Sequence, residues 1–168
     1  MRTSRLNRRR FLAASGIVAA APLVAGCGAS EAQAKSFPVN KSDAEWRRAL
    51  TKGQYYILRE EGTERAFTSP LNKEKRKGVF ACAGCGNAVY SSAHKYDSGT
   101  GWPSFWQAIR SGAVGTSTDY KIGYPRTEVH CARCGGHLGH IFGDGPKPTG
   151  KRHCINGLAL TFKPESRG

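Results

Sequence analysis

No stretch of this 168-residue chain is long and apolar enough to span a bilayer comfortably. The one apolar run, Phe11 to Gly26, is short and is diluted by Ser15, Gly16 and Pro22. Acidic residues are scarce, 12 Asp and Glu against 26 Lys and Arg. Such a balance usually points to nucleic acid or an anionic surface. Here the basic residues are scattered (Arg47, Lys73, Lys75, Arg76, Lys77, Lys147, Lys151) and read mainly as a solvated face. Several catalytic signatures are missing too. There is no HExxH, since two residues rather than three separate His137 from His140, and this excludes a zincin metalloprotease. No H-x-E occurs, which counts against a zinc deaminase. The segment Gly115 to Tyr120 has no Walker lysine, so phosphate handling has no support.

The chain does carry an export leader in outline. Met1 to Arg10 holds five arginines and no acid, and Arg8-Arg9-Arg10-Phe11-Leu12 places paired arginines before the apolar run, as in a twin-arginine signal. The competing reading, an amphipathic helix of the fold, lacks a polar face of helical period. Two cleavage sites remain open. Ala32-Gln33-Ala34 fits the small-x-small pattern, whereas Val24-Ala25-Gly26-Cys27 resembles a lipoprotein box in which Cys27 would carry lipid and anchor the protein to the membrane. The expected organisation is a signal region over 1–34, a linker over 35–41 and one domain over 42–168, in a periplasmic protein. Cleavage after Ala34 removes five Arg and one Glu and leaves a net charge of +10. Export takes this charge away from nucleic acid and makes anionic lipid headgroups the better alternative partner.

Ser42-Asp43-Ala44-Glu45 is a capping box, with Trp46, Ala49 and Leu50 following on one helical face. Thr51 and Gln54 start a second short helix carrying Tyr55, Tyr56 and Leu58. After Gly62 the apolar segments become short and β-rich: Val79-Phe80, Ala88 to Tyr90, Thr127 to Val129, Leu138 to Phe142 and Ile155 to Phe162. The expectation is a small antiparallel β domain behind a helical lead-in, stapled because its core is modest.

The staple is legible. Cys82-Ala83-Gly84-Cys85 and Cys131-Ala132-Arg133-Cys134 offer four thiolates, the donor set of a closed tetrahedral zinc site. Such a site is structural, and a glycine after each second cysteine (Gly86, Gly135) permits the tight turn of a zinc knuckle. Two disulfides or a redox pair are the alternative in an oxidising compartment. Cys154 is left over. It follows Lys151-Arg152-His153 and lies downstream of His137-Leu138-Gly139-His140. Arginine and imidazole lower a thiol pKa, so Cys154 is the candidate nucleophile, with His and Asn156 nearby. A buried inert cysteine is the plainer reading, but it normally has apolar neighbours.

These residues resemble the B-type peptide-methionine (R)-S-oxide reductases. The likeness runs from about residue 42 to 163 through Gly62 to Phe67, the two cysteine knuckles, Ser98-Gly99-Thr100-Gly101-Trp102-Pro103-Ser104-Phe105, His137-Leu138-Gly139-His140 and Arg152-His153-Cys154-Ile155-Asn156. The resemblance implies a mainly β fold of two small antiparallel sheets with short N-terminal helices and structural zinc away from the catalytic cysteine. It further implies that Cys154 attacks the sulfoxide sulfur of oxidised proteins or peptides, while His140, helped by His137 and Asn156, orients the substrate and protonates its oxygen. Trp102 would face the methyl group. Phe105 would help bind substrate, with plain core packing an equal alternative.

Three departures stand out. Thr100 occupies the position at which many members carry a resolving cysteine, so an external thiol or a thioredoxin-like partner is expected to reduce Cys154. His153 replaces an aromatic and Gly157 a serine. A rival of another class, a zinc-ribbon binding module with a basic surface, explains the four cysteines but leaves Cys154, Trp102 and His140 without purpose.

Overall fold

The computed structural model describes residues 36–166, so the arginine-rich leader, both cleavage sites and Cys27 lie outside the described residues. Both helices begin as the capping pattern requires. Helix α1 (Asp43–Ala49) starts at Ser42, whose hydroxyl accepts the Glu45 N–H while Glu45 accepts the Ser42 N–H. Helix α2 (Lys52–Glu60) starts with the same reciprocal pair between Thr51 and Gln54. Helices of seven and nine residues do not persist alone in water, and here burial of Trp46, Leu50, Tyr55, Ile57 and Leu58 holds them down. Ala49 is exposed rather than part of the buried face. The expected tether is docked over residues 36–41: Val39 donates its N–H to the Arg133 carbonyl, and the Phe37 ring meets His130 edge-on. No helix among the described residues is long and apolar enough to cross a membrane.

Two antiparallel sheets follow. The smaller has the order β2-β1-β9, from β1 (Gly78–Cys82), β2 (Ala88–Ser91) and β9 (Leu160–Pro164). The larger has the order β3-β4-β8-β7-β6-β5, from β3 (Lys95–Tyr96), β4 (Ser104–Phe105), β5 (Val114–Asp119), β6 (Arg126–Cys131), β7 (His137–Phe142) and β8 (Arg152–Ile155). The apolar run Ile155 to Phe162 is not one strand. Ile155 ends β8, a 3₁₀ turn occupies Gly157–Ala159, and β9 then joins the other sheet. Strand β5 was not anticipated, because its Gly-Thr-Ser-Thr composition lacks an apolar alternation.

An aromatic column joins the sheets. Phe105 of β4 stacks on Tyr90 of β2 at 4.4 Å and meets Phe80 of β1 edge-on at 5.0 Å. Phe105 has no exposed surface, so it is a core residue and not the substrate contact expected of it. Stacked and edge-on rings both bring opposite parts of the aromatic quadrupole together.

The second joint is the cysteine cluster. Sγ atoms of Cys82, Cys85, Cys131 and Cys134 all lie within 4.8 Å of one another. Cys82 and Cys134 are 3.7 Å apart, Cys85 and Cys131 3.5 Å. Those separations far exceed a disulfide bond. They approach the roughly 3.8 Å edge of a tetrahedron with metal–sulfur distances of about 2.3 Å, so the donors fit a structural metal site. Gly86 and Gly135 take positive φ, and their N–H groups close each knuckle onto the carbonyls of Cys82 and Cys131 rather than onto sulfur. Sulfur is met instead by the Asn87 amide, 3.5 Å from Cys131 Sγ. Without a cation the thiols cannot ionise together: contact with Cys131 pushes Cys82 far above the usual thiol range, while Cys134 pulls Cys131 far below it. A structural ion of this kind contributes about 10–16 kcal/mol, as much as the whole stability of a typical domain, about 5–15 kcal/mol. Chelating it is therefore expected to abolish the near-ultraviolet circular dichroism and the thermal transition. A metal-free chain that keeps both would show that the four thiols fold without an ion.

Candidate active site

Strand register assembles the site. Ser104 of β4 lies opposite Cys154 of β8, Cys154 opposite His140 of β7, and His140 opposite Glu128 of β6. Directly opposed residues share a face of the sheet, so four polar side chains stand in one row. Gly139 makes the close approach of β7 and β8 possible: a Cβ there would sit 2.0 Å from the Cys154 carbonyl oxygen. A larger residue would push Cys154 off its partner.

Cys154 and His140 share a small cavity of about 120 Å³ with Trp102, Asn156, Thr63, Arg126, Gly139 and Phe142. Pockets for drug-sized ligands measure about 300–1,000 Å³, so this space suits the end of one side chain. A larger cavity of about 650 Å³, lined by Lys75, Lys77, Ser92 and Lys163 among others, has no thiol or imidazole in its wall. Trp102 is fixed by donating its indole N–H to the Glu64 carbonyl at 3.1 Å.

Charge in the site is set by burial against partners. Burial pushes the Cys154 thiol up, and the Arg152 guanidinium and Thr100 hydroxyl only partly oppose this. The lowered thiol pKa expected from Arg152 and the histidines is thus overturned by desolvation. Arg152 is itself held in a two-pronged pair with Asp144, both contacts 2.9 Å. Burial likewise lowers the His140 pKa, and Asp119 offsets it in part. Asp119 is lowered to about 2, first by the Lys121 backbone N–H and then by His140 and Arg126. It remains an ionised acceptor, so the proton of the 2.7 Å His140 contact sits on Nε2. Arg126 lies 2.5 Å from the same oxygen.

His137 is close to His140, with ring centroids 5.3 Å apart, but it does not line the cavity. Its Nδ1 donates to Glu128 at 2.8 Å. Against the pull of burial, His130, His137 and Ser117 hold Glu128 well below the usual carboxylate range. Asn156 lines the cavity, yet its amide is committed: Oδ1 accepts the Glu64 N–H and Nδ2 donates to the Leu138 carbonyl. Asn156 therefore holds the cavity wall as a positioning residue.

His153 points into the core, where its Nδ1 shares a hydrogen bond with the Tyr90 hydroxyl. Burial and Lys151 lower its pKa to about 4, so it serves there as a neutral aromatic ring. At Gly157 a Cβ would stand 1.9 Å from the Ser69 hydroxyl oxygen, so Ser69 fills the space that a serine at 157 would occupy. Thr100 keeps its hydroxyl 4.0 Å from Cys154 Sγ and is linked through Ser98 to Ser104.

Asp119, Arg126 and Glu64 were missed as site residues. Glu64 accepts the N–H groups of Gly157 and Leu158 and so fixes the chain just after the nucleophile. A carboxylate 21 positions before its histidine has no local signature. The strand β5 that delivers Asp119 was itself not anticipated.

A half-exposed thiol beside a buried carboxylate-held imidazole, remote in sequence from a closed four-cysteine metal site, defines a cysteine-based redox or transfer enzyme. Residues 50–164 match the SelR domain family. The chain is also similar to proteins named peptide methionine sulfoxide reductase MsrB. It is 52% identical over 130 residues to that of Leptospira interrogans serovar Lai, covering 77% of this chain and 99% of the relative. It is 53% identical over 126 residues to that of Agrobacterium fabrum, covering 75% and 93%. It is 52% identical over 130 residues to that of Methanosarcina barkeri, covering 77% and 92%. The chain belongs to the B-type methionine sulfoxide reductase family.

Because burial dominates at Cys154, its alkylation by iodoacetamide is expected to follow a titration with a midpoint above the free-cysteine value of about 8.5. Arg152→Gln removes a charge that favours the thiolate. It should move that midpoint further up and slow alkylation at pH 8. A wild-type midpoint below 8 would contradict this electrostatic account.

Proposed function

We propose that the chain reduces methionine (R)-sulfoxide residues of oxidised proteins to methionine, with Cys154 as nucleophile. The observation that carries this reading is the direct cross-strand pairing of Cys154 with His140 inside one small cavity walled by Trp102. A sulfoxide has a polar oxygen that needs donors and a methyl group that needs a dry aromatic wall, and the cavity offers both. Relatives named peptide methionine sulfoxide reductase, about half identical over most of this chain, support the substrate class. The only methionine is Met1, so a domain released from the leader has no methionine of its own to oxidise.

In this reading Cys154 passes its proton to His140 Nδ1, and Asp119 stabilises the resulting imidazolium through Nε2. The thiolate attacks the sulfoxide sulfur. His140 returns the proton to the oxygen; as the methionine S–O bond breaks, the hydroxyl moves to the Cys154 sulfur and the transient S–S bond cleaves, releasing methionine and leaving Cys154 as a sulfenic acid. Two electrons pass from cysteine to the sulfoxide, and no net proton is consumed. Thr100 in place of a second cysteine supports regeneration by an external thiol or thioredoxin-like protein: two thiols return Cys154 to its reduced form and release water and a disulfide. Zinc is the ion that four thiolates in tetrahedral array favour. The twin-arginine pattern supports export of the folded, metal-loaded protein to the periplasm, with lipid anchoring if cleavage precedes Cys27.

The test is turnover of a peptide carrying both sulfoxide epimers, with dithiothreitol as reductant and each epimer followed by chromatography. Only the R epimer should disappear, and Cys154→Ser should lower the rate at least a thousandfold while leaving the metal content unchanged. If folded, metal-loaded wild-type protein consumes neither epimer, the zinc-ribbon binding module becomes the better reading.

A further inference from the structure

Three of the large apolar residues most exposed to solvent among the described residues lie in one six-residue loop. Tyr120 is 67% exposed, Ile122 49% and Tyr124 59%. The loop joins β5 to β6 and is closed at its base by the register pair Asp119–Arg126. Those two residues belong to the cavity: Arg126 lines it, and Asp119 holds His140.

Exposed apolar side chains on a frayed loop would carry little meaning, but this loop is held. Asp119 Oδ1 accepts the Lys121 backbone N–H at 2.7 Å, and the Gly123 N–H closes a turn onto the Tyr120 carbonyl. The Lys121 ammonium is drawn back to Glu61 at 2.7 Å and to the Glu60 carbonyl at the end of α2. One carboxylate thus fixes the loop through Oδ1 and the imidazole through Oδ2. A further aromatic lies where the chain leads to Trp102. Phe67 is 73% exposed in a left-handed backbone conformation (φ 65°), which disfavours any residue but glycine, and its N–H is held by the Gly101 carbonyl.

An apolar loop whose base residues line and brace a cavity that admits one side chain is placed to meet what is attached to that side chain. We infer that Tyr120, Ile122 and Tyr124 are specificity-determining residues that bind apolar side chains flanking the sulfoxide in an extended polypeptide. This rests on the reductase reading and extends it from the reacting residue to its neighbours. The loop holds no acid or free base to select charged flanks: its one charged side chain, Lys121, is already paired. Burial of apolar area is the interaction left to it.

The experiment compares two peptides with the full, metal-loaded chain. One carries methionine (R)-sulfoxide between leucines, the other between glycines. Wild-type protein should favour the leucine-flanked peptide in kcat/KM, through KM. The triple variant Tyr120→Ser, Ile122→Ser, Tyr124→Ser should raise KM for that peptide about tenfold. It should leave kcat and the glycine-flanked peptide unchanged. Tyr124→Ser alone should shift KM in the same direction by a smaller factor, which keeps the test available should the triple variant misfold. Three outcomes overturn the inference: no preference in wild type, a preference that survives the substitutions, or equal slowing of both peptides, which would make the loop a mere support for Asp119. Absence of turnover on either peptide by wild type would instead sink the reductase reading itself.

Discussion

The register between β7 and β8 governs the rest of the molecule. Side chains alternate across a strand, so a slip by one residue would turn His140 to the face opposite Cys154. The cysteine cluster fixes the hairpin that presents His140. Cys131 ends β6, Cys134 sits in the turn and β7 begins at His137, so the hairpin carrying the histidine is closed by two of the four donors. The other two come from the end of β1 and the turn after it, which ties this hairpin to the smaller sheet. Gly139 then lets β8 come close enough for the pair to form. Four donors so placed suit a structural ion, because they tie the β6–β7 hairpin to β1.

Burial has two consequences at the site. It raises the thiol pKa of Cys154 and lowers the imidazole pKa of His140, so both groups rest uncharged near neutral pH. An uncharged pair lowers the cost of closing a dry cavity over a sulfoxide, because no isolated ion has to lose its water. Arg152 and Asp119 supply the opposite tendencies, each favouring the charged form of its neighbour once a proton moves. In the proposed mechanism, reactivity comes from a proton passed within the site rather than from a standing thiolate.

Much of this was legible in the residues themselves. Reciprocal capping at Ser42 and Thr51 marks both helices because it needs only residues three apart. The paired CxxC knuckles and the odd Cys154 stand out for the same reason, since their chemistry is local. What escaped is non-local or compositionally quiet. Nothing near Asp119 announces that strand pairing will bring it to His140. The run from Ile155 to Phe162 looks continuous, yet it divides between two sheets at a 3₁₀ turn anchored by Glu64 from far upstream. Phe105 and Trp102 sit three residues apart in one motif. Only the fold distinguishes the ring in the aromatic column from the ring on the cavity wall. The Gly157 departure follows from Ser69, whose hydroxyl occupies the space a side chain at 157 would need.

The most direct test of the account is a single turnover without any reductant, with the modified cysteine identified by mass spectrometry after trapping with dimedone. One equivalent of methionine per protein, with the sulfenic acid adduct on Cys154 and none on Cys82, Cys85, Cys131 or Cys134, is the predicted result. Continued turnover without a thiol, or an adduct confined to the knuckle cysteines, would contradict it.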